Sequence, residues 1–87
     1  MPCRKKKAQY YLQNFEDFSI KIPWECFEYI LTKFFGFEMI KKSGSVRLFV
    51  RGEIRFTADE PHGKGDNYIS KYDRQRAIYE IKKLDLL

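Results

Sequence analysis

His62 is the only histidine in this 87-residue chain, and it stands in the segment Pro61-His62-Gly63-Lys64. An imidazole exchanges protons near neutral pH, so a histidine is the side chain best suited to act as general base or acid without a metal. One reaction open to such a residue among cations is metal-independent RNA cleavage. There the 2′-hydroxyl attacks the adjacent phosphate, a base takes its proton, an acid protonates the leaving oxygen, and positive groups hold the phosphate. Ser45, Arg47 and Lys64 are the candidates for phosphate contact, and His62 is the candidate for proton transfer. On residue type alone, a lone loop histidine is more often an ordinary surface residue. Other chemistries find less in the sequence. Asp59, Glu60 and Asp66 share one loop, but their spacing matches no metal cage. No serine or cysteine comes with a recognisable base and orienting partner.

The elements that would position these groups can be read from periodicity. Lys41 to Ala58 has the alternation of a β-hairpin, with Val46, Leu48 and Val50 expected to face a core across from Ile54, Phe56 and Ala58. Gly52 marks the reversal, and a three-residue link Arg51-Gly52-Glu53 is expected to pair Val46–Arg51 with Glu53–Ala58. The wet face would then carry Arg47, Arg51 and Arg55 around the ring of Phe49. Guanidinium groups bind phosphate and a ring stacks on a base, so this face is a candidate RNA platform, with Lys42 joining Arg47 and Arg51 in one positive patch. The competing reading is a solvated antiparallel face with one aromatic packed on a neighbouring helix.

Upstream, Arg4 to Lys7 is a basic run leading into Ala8, Tyr11, Leu12 and Phe15, spaced as one face of a short helix. A cationic first turn opposes the helix dipole, so this end is expected to fray. Pro23 to Phe35 is the clearest helix, with Phe27, Ile30, Leu31 and Phe34 on the buried stripe and Gly36 as its stop. Its start has no capping side chain at Ile22. Phe37 to Lys42 follows as a first strand, turning at Ser43-Gly44-Ser45. Beyond the Asp59–Asn67 loop, Ser70 is placed to cap a last helix, with Asp73 three residues on and Ala77, Ile78, Ile81 and Leu84 inside. The expected class is α+β, with a three-stranded antiparallel sheet packed against helices in the order α-α-β-β-β-α. One domain spans 1–87, with an N-terminal helix and connection over 1–21 and the α-β-β-β-α core over 22–87.

Composition sets further bounds. The net charge of +5, with eight Phe, six Tyr and one Trp, favours an anionic partner and a small core built from rings. Cys3 and Cys26 are too few and too far apart for a disulfide framework or a metal site, and they fit a reducing compartment, with Cys26 as a small core residue. No stretch approaches membrane-spanning length and no signal-peptide pattern follows Met1, so a cytoplasmic location is expected.

The helix, three strands and helix have the layout of the double-stranded-RNA-binding-domain fold, and within it the chain resembles the HicA-like toxins of bacterial toxin–antitoxin systems. Leu31 to Met39 is similar to that family's helix end, glycine stop and first strand. Lys42-Ser43-Gly44-Ser45 with Val46-Arg47-Leu48-Phe49 is similar to its Gly-Ser-His-x-x-Phe signature. Pro61-His62-Gly63-Lys64 is similar to the loop after its third strand, and Ile78 to Leu87 to its final helix. The resemblance runs from Ile22 to Leu87. It implies an mRNA-cleaving toxin that needs no cofactor and is neutralised by a cognate HicB-like antitoxin. The family's signature histidine is replaced here by Val46, which cannot exchange a proton, so that role does not carry over to position 46. The alternatives are a non-catalytic RNA-binding module or a toxin fold without its chemistry, and, further off, a module for an acidic protein partner.

Overall fold

A computed structural model of the chain describes residues 3–63 and 67–87. Helix α1 (Lys5–Gln13) is followed by a connection to α2 (Trp24–Tyr29), which continues as a π-helical turn over Ile30–Phe34. Strands β1 (Glu38–Lys41), β2 (Val46–Arg51) and β3 (Ile54–Asp59) form an antiparallel sheet in the order β1-β2-β3. Helix α3 (Lys71–Lys82) closes the fold, which is α+β with one three-stranded antiparallel sheet and three helices. None of these helices is long and apolar enough to cross a membrane.

The core is a chain of aromatic rings. Phe15 stacks on Phe27, Phe27 meets Phe49 edge-on at 5.8 Å, Phe49 stacks on Phe56 at 5.5 Å, and Phe56 meets Phe37. Trp24 lies against both Phe27 and Phe49. Ala8, Ile22, Ile30, Leu31, Ile69, Ala77 and Ile81 fill the spaces between rings and helices. The sheet therefore meets α2 through Phe49, and α1 and α3 close the sides of the same cluster.

The hairpin corrects the expected register. Arg51 pairs with Ile54, Phe49 with Phe56 and Arg47 with Ala58, so the link is the two residues Gly52-Glu53 and β3 begins at Ile54. Gly52 has φ +59° and Glu53 does not share the left-handed conformation, the pattern of a type II′ hairpin turn with glycine first. Residues directly opposite one another share a face. Ile54, Phe56 and Ala58 face inward as expected, and this brings Arg47, Phe49 and Arg51 to the inner side in place of Val46, Leu48 and Val50. One residue of difference in the turn inverts the whole of β2.

The second helix departs from its expected stripe at one point. Phe35 donates to the Ile30 carbonyl, five residues back, and Phe35 is buried where Phe34 was expected. Phe34 instead meets Tyr29, edge to face at 5.5 Å. The Thr32 hydroxyl donates to the Glu28 carbonyl and competes with the helix amides for it. Gly36, at φ +72°, ends the helix as expected and turns the chain so that the Phe37 amide reaches the Leu31 carbonyl. At the start of α2 no side chain caps the helix. The Trp24 amide is satisfied by the Asn67 carbonyl, and Ile69 donates to Ile22, so a segment from beyond the sheet supplies the missing partners. Ser70 caps α3 as expected, accepting from the Asp73 amide at 3.1 Å.

Cys3 and Cys26 form a disulfide, with Cα atoms 5.0 Å apart. This overturns the expectation of two unpaired thiols. The physical reason is the packing of α1 on α2, which brings the segment just before α1 to the first turn of α2. The bond also holds the α1 terminus, where Arg4 occupies the cap position without a side-chain hydrogen bond and the first turn carries no acidic residue.

Candidate nucleic-acid interface

The candidate residues separate into two ends of the hairpin and the core. Phe49 is fully buried among Trp24, Phe27 and Phe56 and offers no surface for a base. The exposed aromatic platform expected on β2 is absent, for the register reason given above. Arg51 is exposed at the hairpin turn, with its Nε beside Gly36. Four residues of strand, roughly 13 Å, separate it from Arg47. Arg47 and Arg51 therefore do not form one patch.

The other end of the hairpin brings the rest together. The turn Ser43-Gly44-Ser45, with Gly44 at φ +62°, lies beside the exit of β3. The Glu60 amide donates to the Ser45 carbonyl at 2.9 Å, and the Ser45 hydroxyl makes a long, 3.5 Å contact with the Asp59 carboxylate. Arg47 ties the two segments. Its Nε donates to Glu60 at 3.0 Å and its Nη1 to the carbonyls of Gly44 and Val46, with the side chain only 11% exposed. A guanidinium so paired is a brace for the turn, not a free phosphate contact. Lys41 and Lys42 are exposed on the adjoining rim and have no ionic partner among the described residues. His62 follows two residues after Glu60, exposed, with no hydrogen bond orienting it among the described residues. Lys64 and Asp66 lie outside the described residues. Among those that are described, no cluster of three or more His, Cys, Asp or Glu side chains could hold a metal ion.

Sequence reasoning missed Arg74. Its side chain is buried, at 3% exposure, and donates to four backbone carbonyls: Phe15 at 2.9 Å, Ile20 at 2.8 Å, Asn14 at 2.9 Å and Asp17 at 3.0 Å. Asn14 is the C-cap of α1 and the other three carbonyls belong to the connection that follows, so the guanidinium sits by the negative end of the helix dipole. Burial lowers the Arg74 pKa, and the nearby Asp17 carboxylate opposes that shift. The Ser19 hydroxyl and amide hold the Asp17 carboxyl below its ordinary range. Arg74 stands three, four and seven residues before Ala77, Ile78 and Ile81, on the buried stripe of α3, and that spacing was the one sign of its burial; nothing in the sequence pointed to its carbonyl partners.

No protein-family model, curated protein or solved structure matches the chain.

Proposed function

We propose that this chain is an RNA-binding protein of the HicA-like toxin type, with a double-stranded-RNA-binding-domain-like fold. RNA would lie across the rim formed by the Ser43–Ser45 turn and the loop that follows β3. The observation that supports this most is the juxtaposition of the two motifs on which the resemblance rests. The Gly44-Ser45 turn and the segment leading into Pro61-His62-Gly63 are distant in sequence and are joined by the Glu60–Ser45 hydrogen bond and the Arg47 brace. In this reading Lys41, Lys42 and Ser45 hold phosphate, Arg47 positions the turn, and His62 exchanges the proton that Val46 cannot. A HicB-like antitoxin would silence the protein by covering this rim. No metal or other cofactor takes part.

The test is cleavage of a labelled mRNA fragment by purified protein in the presence of EDTA. His62→Ala is expected to slow cleavage by about 10²- to 10⁴-fold, the usual contribution of general acid–base catalysis, while RNA affinity stays the same. Cleavage undiminished in His62→Ala would exclude histidine chemistry. A second reading, RNA binding without cleavage, is favoured by one observation: His62 has no partner to orient it among the described residues. Binding without cleavage by the wild-type protein, with cleavage gained in Val46→His, would select that second reading.

A further inference from the structure

A second surface, outside the rim, has the chemistry of a nucleotide subsite. A cavity of about 260 Å³ lies between the connection after α1 and the start of α3, lined by Phe18, Lys21, Tyr68, Ile69, Lys71 and Arg74. Phe18 is 37% exposed, although it is a large ring in a chain that buries most of its phenylalanines. Each ring carries a cation. The Lys21 ammonium lies 5.7 Å from the Tyr68 centroid, and the Lys71 ammonium 5.9 Å from that of Phe18. The Arg74 guanidinium stacks 4.6 Å from the Phe18 centroid while its hydrogen bonds go to backbone carbonyls. Lys21 and Lys71 are both exposed and neither has a carboxylate partner among the described residues.

Two rings and two unpaired ammonium groups around one small hollow suit a ligand with a flat face and an anionic group. We propose that this cavity binds a single unstacked nucleotide of single-stranded RNA, its base against Phe18 and Tyr68 and its phosphate between Lys21 and Lys71. Exchanging the ring for the phosphate is favourable for both lysines, because a full anion replaces a ring quadrupole as their partner. The size admits one ring system and excludes a duplex, which offers no free base. The position connects to the rim. Asp73, two residues after Lys71, accepts from the Asp59 amide, next to the Glu60 that ties the Ser45 turn. A strand crossing the rim would therefore pass close to the cavity. The source of the nucleotide rests on the RNA-binding reading; the recognition of a nucleotide rests on the cavity itself.

Two measurements on the whole protein separate these. The first is an NMR titration of isotope-labelled protein with 5′-AMP and, separately, with inorganic phosphate. Shifts at the amides of Phe18, Lys21, Tyr68 and Lys71 with 5′-AMP, much weaker with phosphate and lost in a Lys21→Ala/Lys71→Ala protein, are the expected result. No response at these amides would overturn the proposal whatever the RNA affinity. An equal response to phosphate would also overturn it, since the rings would then be bystanders. The second is binding of a labelled single-stranded RNA and of a blunt RNA duplex. Phe18→Leu keeps the apolar volume and removes the ring, and is expected to weaken single-strand binding by about 5- to 150-fold, the range for one lost base stack, with little change for the duplex. Wild-type-like single-strand binding by both variants would remove the cavity from the RNA path and leave the rim reading standing. Conversely, 5′-AMP binding in a protein that binds neither RNA would overturn the rim reading and, with it, single-stranded RNA as the source of the nucleotide.

Discussion

An Arg74→Leu protein is expected to lose about 3–5 kcal/mol of folding stability, a large fraction of what a small domain possesses. The substitution preserves much of the apolar stem and removes the donors. Four carbonyls at and after the end of α1 then lose a donor; those of Asn14 and Asp17 keep a backbone amide each, while the one on Phe15 is bonded in a buried setting where water cannot replace it. Arg74→Lys is expected to recover only part of the loss, because one ammonium cannot present the planar fork that reaches carbonyls on several sides. Denaturant unfolding followed by Trp24 fluorescence measures this directly. A loss below about 1 kcal/mol, typical of a surface position, would show that the connection holds its shape without the guanidinium. Asp17 adds a pH dependence of defined sign. Its carboxyl pKa is depressed in the folded protein. Its contribution is therefore complete above the ordinary carboxylate range and is lost as pH falls through the lowered value.

The second large effect is expected at Phe49. Phe49→Ala should cost about 3–5 kcal/mol, the range for removing a buried ring without collapse of the space around it. Leu48→Ala, next along the strand, should cost much less, because Leu48 is only half-buried on the opposite face. The pair of measurements tests the register of β2. A larger loss at Leu48 than at Phe49 would restore the three-residue turn and put the ring back on the outer face.

These two residues also show where the sequence was legible. Gly36, Ser70 with Asp73, and the inward set Ile54, Phe56 and Ala58 each carry a local signal with one physical meaning, and each appears as read. Strand β2 carried two signals. Val46, Leu48 and Val50 form one apolar set and Phe49 heads another, and only the turn length decides which set faces in. That choice rests on whether Gly52 is the first of two turn residues or the middle of three. Arg74 was illegible for a different reason: its partners are carbonyls, which every residue has, so no side chain elsewhere announces the pairing. The disulfide was likewise hidden, since a separation of 23 residues does not say whether the two cysteines meet. For the interface, the meeting of the Ser45 turn with the segment before His62 follows from the antiparallel pairing of β2 with β3, and the loss of Arg47 to an internal ion pair with Glu60 had no signal in the sequence.

The π-helical turn after α2 has a meaning for insertions and deletions. The hydrogen bond from Phe35 to Ile30 spans one residue more than an α-helix would use, and Lys33, inside that span, is exposed. Removing Lys33 would shorten the span to the α-helical one. Phe35 would then fall on the ordinary stripe of Phe27, Ile30 and Leu31, and Tyr29 and Phe34, already in contact, would be spaced one α-helical turn apart. A chain lacking Lys33 is therefore expected to fold with the same core, and its melting temperature compared with the parent measures what the extra residue costs or contributes. Loss of any single residue from β2 would instead invert a strand face. This stretch can gain or lose a residue while the sheet beside it keeps its length.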